Sequence, residues 1–209
     1  MTRPWIPALV LSLALCGPAA AQEEATPIDT KALATTIATL SESFAQDIDT
    51  LGRTLSDLPA EMAATEQFYD DMIASVDRML DKVDAESDVA ADVLGLKDQA
   101  EAERVFWQER CDESGKNRDC EYVTRWDERV AEALLREEEY LTLVDEMEQI
   151  RETYVDNRVY AIADLKLGEF DRALTELKTS LETMGTLRTE MQKLAVAIGG
   201  PEFGQQETN

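Results

Sequence analysis

Apolar residues recur with helical spacing from Leu33 almost to the C-terminus. Leu33, Ile37, Leu40, Phe44, Ile48, Leu51, Leu55 and Leu58 follow one another in steps of 4, 3, 4, 4, 3, 4 and 3. Such a stripe stays on one face of an α-helix, and its near-heptad form suits packing against a partner helix. Asp29 or Thr30 can cap its start. Pro59 ends it, because the residue before a proline avoids the helical region. A first helix is predicted over about 29–57. Tyr69, Met72, Val76, Met79/Leu80 and Val83 form the next stripe. Val89, Val93, Leu96 and Ala100 continue it to Val105, Phe106 and Trp107. This predicts one long helix over about 60–111, weakest in the polar stretch 84–88.

A third stripe starts with Val123, Trp126, Val130 and Leu134. It passes through Tyr140, Leu143, Met147, Ile150 and Tyr154 to Val155, Val159, Ile162 and Leu165. It predicts a helix over about 120–167 that Gly168 breaks. Phe170, Leu177, Leu181, Met184, Leu187, Met191, Leu194 and Ile198 mark a last helix over about 169–198. Gly199-Gly200-Pro201 is a helix stop, and 201–209 is expected to be a disordered tail.

Cys111 and Cys120 bracket a polar run containing Gly115 and Asn117, which reads as a turn between two helices. If the two cysteines face each other across an antiparallel hairpin, residue i lies opposite residue 231 − i. Leu167 then falls opposite Ala64, so the boundaries set by Pro59 and Gly168 agree. The two inner helices are much longer than the outer two and are covered by them only in part. The predicted fold is therefore all-α: a four-helix antiparallel bundle base with a long two-helix coiled-coil stalk, capped by a disulfide.

The N-terminus reads as an export signal. Arg3 provides the positive start, Ile6 to Cys16 an apolar segment too short to span a bilayer, and Ala19-Ala20-Ala21 a small-residue cleavage site. The expected leader is 1–21 and the expected mature single domain 22–200, followed by the tail. Two remaining cysteines in an exported chain are expected to pair. The expected location is periplasmic or secreted. Leu13-Ala14-Leu15-Cys16 resembles a bacterial lipobox, which gives an alternative: a chain lipid-anchored through Cys16. No transmembrane span is expected.

Charge narrows the function. The 209 residues carry 20 Lys+Arg against 44 Asp+Glu, a net −24, and no histidine. Such an acidic chain is repelled by phosphate, so nucleic acid is not an expected partner. Without histidine there is no Ser-His-Asp triad, Cys-His pair or His-ligated metal. The acidic clusters Glu137-Glu138-Glu139 and Asp145-Glu146 splay around a helix rather than converge on a cation. No metal, no cofactor, no catalytic residue and no enzymatic activity are expected.

Residues 165–174, Leu-Lys-Leu-Gly-Glu-Phe-Asp-Arg-Ala-Leu, with Ala161 and Leu177 at the flanking packing positions, resemble the turn of a single tetratricopeptide repeat. The resemblance covers about 154–184 and has no second copy at the family's period. It implies a helix–turn–helix there. The same residues also read as an ordinary helix–Gly–helix turn.

Charge and aromatics are distributed unevenly. Residues 97–136 hold 8 basic and 11 acidic side chains, far closer to neutral than the rest. Both tryptophans beyond the leader, Trp107 and Trp126, lie there with Phe106 and Tyr122. Arg104, Arg110, Arg118, Arg125 and Arg129 surround them. By the 231 − i rule Trp126 faces Val105 and Trp107 faces Thr124, and a two-helix stalk is too thin to hide every ring. These nine residues are the candidate partner-binding set, since exposed aromatics and arginines dominate protein interfaces. The rival role for them is packing the thin seam. The function expected is that of a non-enzymatic envelope interaction protein (scaffold, adaptor or holdase-like) using its stalk end. Its partner would be another envelope protein, and homo-oligomers stay open. The alternative is a protein that binds a small ligand or cation in its four-helix base.

Overall fold

The computed structural model describes residues 27–59 and 61–204. Five α-helices account for most of them: α1 (Thr30–Ser56), α2 (Met62–Val83), α3 (Asp88–Ser114), α4 (Asn117–Leu167) and α5 (Phe170–Gly199). A 3₁₀ turn, Pro201–Gly204, closes the described chain, and there is no strand among these residues. The expected export leader lies outside the described residues.

The Asp29 carboxylate starts α1 by accepting from the Lys31 and Ala32 amides at 3.0 and 3.1 Å. These amides belong to the first turn and have no partner inside the helix. The single helix expected over 60–111 is instead two, α2 and α3, separated at 84–87. Asp84 accepts from the Glu86 amide at 3.1 Å, and the Ser87 amide closes a turn onto the Asp84 carbonyl at 3.1 Å. The Ser87 hydroxyl then caps α3 through the Ala90 amide at 3.0 Å. Short polar side chains here offer the backbone better local partners than the helix does. Tyr140, buried on α4, donates its hydroxyl to the Val83 carbonyl that the break leaves free.

The break shifts the pairing of the chain with α4. Between α3 and α4 the ion pair Arg104–Asp127 obeys 231 − i. Below the break, Asp77 pairs with Arg151 and Asp70 with Arg158, both three residues off that rule. A closed turn runs across the helix axis, so four non-helical residues advance the chain hardly at all.

The α3–α4 connection is tighter than expected. α3 runs to Ser114 and α4 begins at Asn117, so both cysteines sit inside helices and the turn is reduced to Gly115-Lys116. Gly115 adopts a left-handed conformation (φ 59°) with its amide on the Cys111 carbonyl at 2.9 Å. A side chain would oppose that φ, which is why a glycine can stop the helix so abruptly. The Ser114 hydroxyl holds Asp119 at 2.6 Å across the turn.

The helices pack as antiparallel neighbours: α1 on α5, α5 on α4, α4 on α2 and α2 on α1, with α3 against the first half of α4. The core contains Leu33, Ile37, Phe44, Leu51 and Leu55 of α1 and Phe68, Tyr69, Met72, Val76 and Met79 of α2. It continues through Val89 and Val93 of α3, Tyr140, Leu143, Met147 and Tyr154 of α4, and Leu177, Met184, Leu187, Met191 and Leu194 of α5. Each fully buried side chain of this size contributes roughly 1.5–3 kcal/mol. Burial pushes the Tyr69 hydroxyl up to about 12 and that of Tyr154 higher still.

Two further expectations change. Leu134, Val155 and Val159 belong to the apolar stripe that the sequence predicts for this helix, yet they are exposed. The buried apolar positions are Ala133, Tyr140, Leu143, Met147, Tyr154 and Ala161, and all but Leu143 recur every seven residues. Residues 201–203, expected as loose tail, fold back, and Phe203 packs against the core.

Candidate functional site

The nine candidate partner residues all lie on the α3–α4 hairpin, where burial falls away. From 101 to 132 the single buried residue is Asp119 at the turn, held by Ser114. Towards the turn α3 and α4 pack mainly on each other, and two helices cannot enclose a side chain on all sides. The Cys111–Cys120 disulfide fastens the far end, with Cα atoms 4.8 Å apart.

Three rings form one cluster. Trp107 of α3 stacks on Tyr122 of α4 with centroids 4.4 Å apart and planes 24° from parallel. Phe106 meets Trp107 edge-on at 5.3 Å and 81°. These are the offset-stacked and T-shaped arrangements that an aromatic quadrupole favours. Guanidinium groups cover the rings: Arg110 lies 5.4 Å from Trp107 and 5.6 Å from Phe106, while Arg125 and Arg118 lie 5.3 and 5.9 Å from Tyr122. Each is within cation–π reach. The Tyr122 hydroxyl raises the Arg118 guanidinium above its ordinary value. Phe106 is 47 % exposed and its neighbour Val105 50 %, whereas Trp107 and Tyr122 are half-buried against each other.

Trp126 is separate. It stands one level lower with Arg129 at 4.7 Å over its ring. It borders a hollow of ≈ 390 Å³ with Ile28, Leu96, Gln99, Arg136 and Ile198, where the ends of α1 and α5 meet the hairpin. Arg104 touches no ring in this set and is tied to Asp127. The structure thus divides the nine residues into a tip cluster (Phe106, Trp107, Tyr122, Arg110, Arg118, Arg125), a junction pair (Trp126, Arg129) and an ion-paired Arg104.

The described residues contain no group of three His, Cys, Asp or Glu side chains placed to hold a metal ion. None of their helices is long and apolar enough to cross a membrane. Buried polar atoms meet between α2 and α5: the Thr65 hydroxyl and one oxygen of Glu176 have no hydrogen-bond partner, and the Tyr69 hydroxyl faces Ser180. Periodicity could not show these, because each residue occupies an ordinary helical position and only the packing brings them together.

No protein-family model, curated protein or solved structure matches this chain.

The turn at Gly168 joins a 51-residue α4 to α5. Gly168 is left-handed there (φ 82°), and the Glu169 amide returns to the Asp164 carbonyl at 2.9 Å.

Proposed function

We propose that this is an exported, non-enzymatic interaction protein of the cell envelope. In this reading α1, α2, α4 and α5 form a four-helix base, and the upper α3 and lower-numbered half of α4 form a two-helix stalk. The stalk end carries the ring-and-guanidinium cluster to a partner protein. The observation that supports this is the cluster of three aromatic rings (Phe106, Trp107, Tyr122) covered by three arginines (Arg110, Arg118, Arg125), in a stretch with no buried apolar side chain between 101 and 132. A core-building role would sequester those rings; here Phe106 and Val105 remain open to solvent. The near-neutral charge of 97–136 reduces the repulsion that a net −24 molecule would impose on an approaching acidic partner. The disulfide holds the hairpin end in one geometry, which lowers the ordering cost of binding.

The test is Phe106→Ala with Trp107→Ala in the exported chain, read by partner capture from envelope extracts and by thermal melting. Capture should fall at least tenfold while the melting temperature moves by a few degrees at most. Loss of stability in proportion to capture would assign the rings to the fold instead.

The second reading, a small ligand or cation in the base, draws on the partnerless Thr65 and Glu176 atoms beside Tyr69. Calorimetric titration of the folded chain with divalent cations and with small amines decides it.

A further inference from the structure

The outer face of α4 is apolar where the packing of the helix leaves it facing water. The buried seam of α4 recurs every seven residues, at Ala133, Tyr140, Met147, Tyr154 and Ala161. One position beyond that seam, Leu134 is 44 % exposed and Leu141 47 %, and Leu135 beside them is 56 % exposed. A helix with one packed face ordinarily carries polar residues at such positions. Three leucines within eight residues, rather than one, make this a patch and not the scattered exposure normal for a surface.

The surroundings of the patch state what it fits. Glu137, Glu138 and Asp145 border the leucines directly. Toward α5 a groove of ≈ 370 Å³ adds Glu139, Glu146 and Glu190. Its one basic lining residue, Lys193, is already paired with Glu190 at 2.7 Å. The apolar strip is therefore edged by carboxylates with no free cation among its lining residues.

We propose that this face docks a basic amphipathic helix of a partner protein, its apolar edge on Leu134, Leu135 and Leu141 and its Lys or Arg side chains on the flanking carboxylates. Charge complementarity selects that occupant. A second copy of this net −24 chain would bring carboxylates against carboxylates, which costs Coulomb energy at close range. A helix lying along α4 can use apolar residues at i, i+3, i+4 and i+7 for the strip and reach both acidic edges with long cationic side chains. This surface is distinct from the ring cluster at the hairpin end, and the inference does not depend on the role of that cluster.

The experiment uses the oxidised mature chain and a fluorescent 21-residue peptide with a leucine seam flanked by lysines. Its scrambled form, of equal charge and composition, is the control. Anisotropy should show the amphipathic peptide binding at least tenfold tighter than the scramble. Leu134→Ser with Leu141→Ser should remove at least tenfold of that affinity, and Phe106→Ala with Trp107→Ala should remove none. Glu138→Lys with Asp145→Lys leaves the leucines in place; it should weaken the basic peptide and admit one carrying glutamates instead. Equal binding of peptide and scramble would overturn the proposal, since charge alone would then explain it. So would unchanged affinity in the folded leucine variant. Sedimentation showing a dimer that the leucine substitutions dissociate would also overturn it and give the face to a second copy.

Discussion

Gly199, in the last turn of α5, has no room for a methyl group. A Cβ built there would lie 2.4 Å from the Ala34 Cβ and 2.6 Å from the Phe203 ring. The missing side chain is what lets the end of α5 lie against the start of α1 and lets residues 201–203 fold back. Gly185, on the same helix, would meet nothing within 4 Å. The two therefore respond oppositely to alanine. Gly199→Ala should destabilise by about 1–3 kcal/mol through overpacking. Gly185→Ala should stabilise by up to about 1 kcal/mol through helix propensity. Urea unfolding of both variants measures the contrast; equal shifts of one sign would mean that the α1–α5 contact is looser than described.

The helix elements are set by local signals, and their joints by partners from elsewhere in the chain. The α2–α3 break is encoded by Asp84 and Ser87, but its stability depends on Tyr140, which supplies a donor to the Val83 carbonyl from fifty-seven residues away. Tyr140→Phe leaves a buried carbonyl unpaired and should cost about 1–3 kcal/mol. Tyr69→Phe removes a buried hydroxyl whose contact with Ser180 is weak, and should change stability by less than about 1 kcal/mol. Denaturant midpoints of the two variants check this. Both substitutions keep the ring, so equal losses would mean that the Tyr140–Val83 hydrogen bond adds nothing beyond the cost of losing a buried hydroxyl.

For the molecule as a whole, stability should be graded along the long axis. The core gathers α1, α2, α5, the first turns of α3 and the later part of α4, while 101–132 adds no buried apolar side chain. The hairpin end relies on ring stacking, the Arg104–Asp127 pair and the disulfide. A closed loop of this size is worth roughly 2–3 kcal/mol. Replacing Cys111 and Cys120 together by serine should raise amide exchange over 101–130 by about thirty- to hundredfold, while amides of α1 and α5 keep their protection. Equal acceleration throughout would indicate a single cooperative unit.

Helical periodicity and local chemistry in the sequence specify the all-helical class, the cap at Asp29, the stops at Pro59, Gly168 and Gly199, and the pairing of Cys111 with Cys120. They also place all nine candidate partner residues on one hairpin, because residues near a turn in sequence are near it in space. Those features depend on interactions between close neighbours along the chain. Other features depend on several helices meeting at once. An apolar run such as Val155, Val159 and Leu134 satisfies the helical period whichever way α4 is rotated. Only contact with α2, α3 and α5 selects the seam of Ala133, Tyr140, Met147, Tyr154 and Ala161, and leaves the leucine face outward. The three-residue offset below the break, the fold-back of Phe203 and the separation of Trp126 from the tip rings are likewise decided by tertiary packing. A one-residue rotation of a helix changes no local pattern, yet it changes which side chains are buried, and burial carries most of the free energy of the fold.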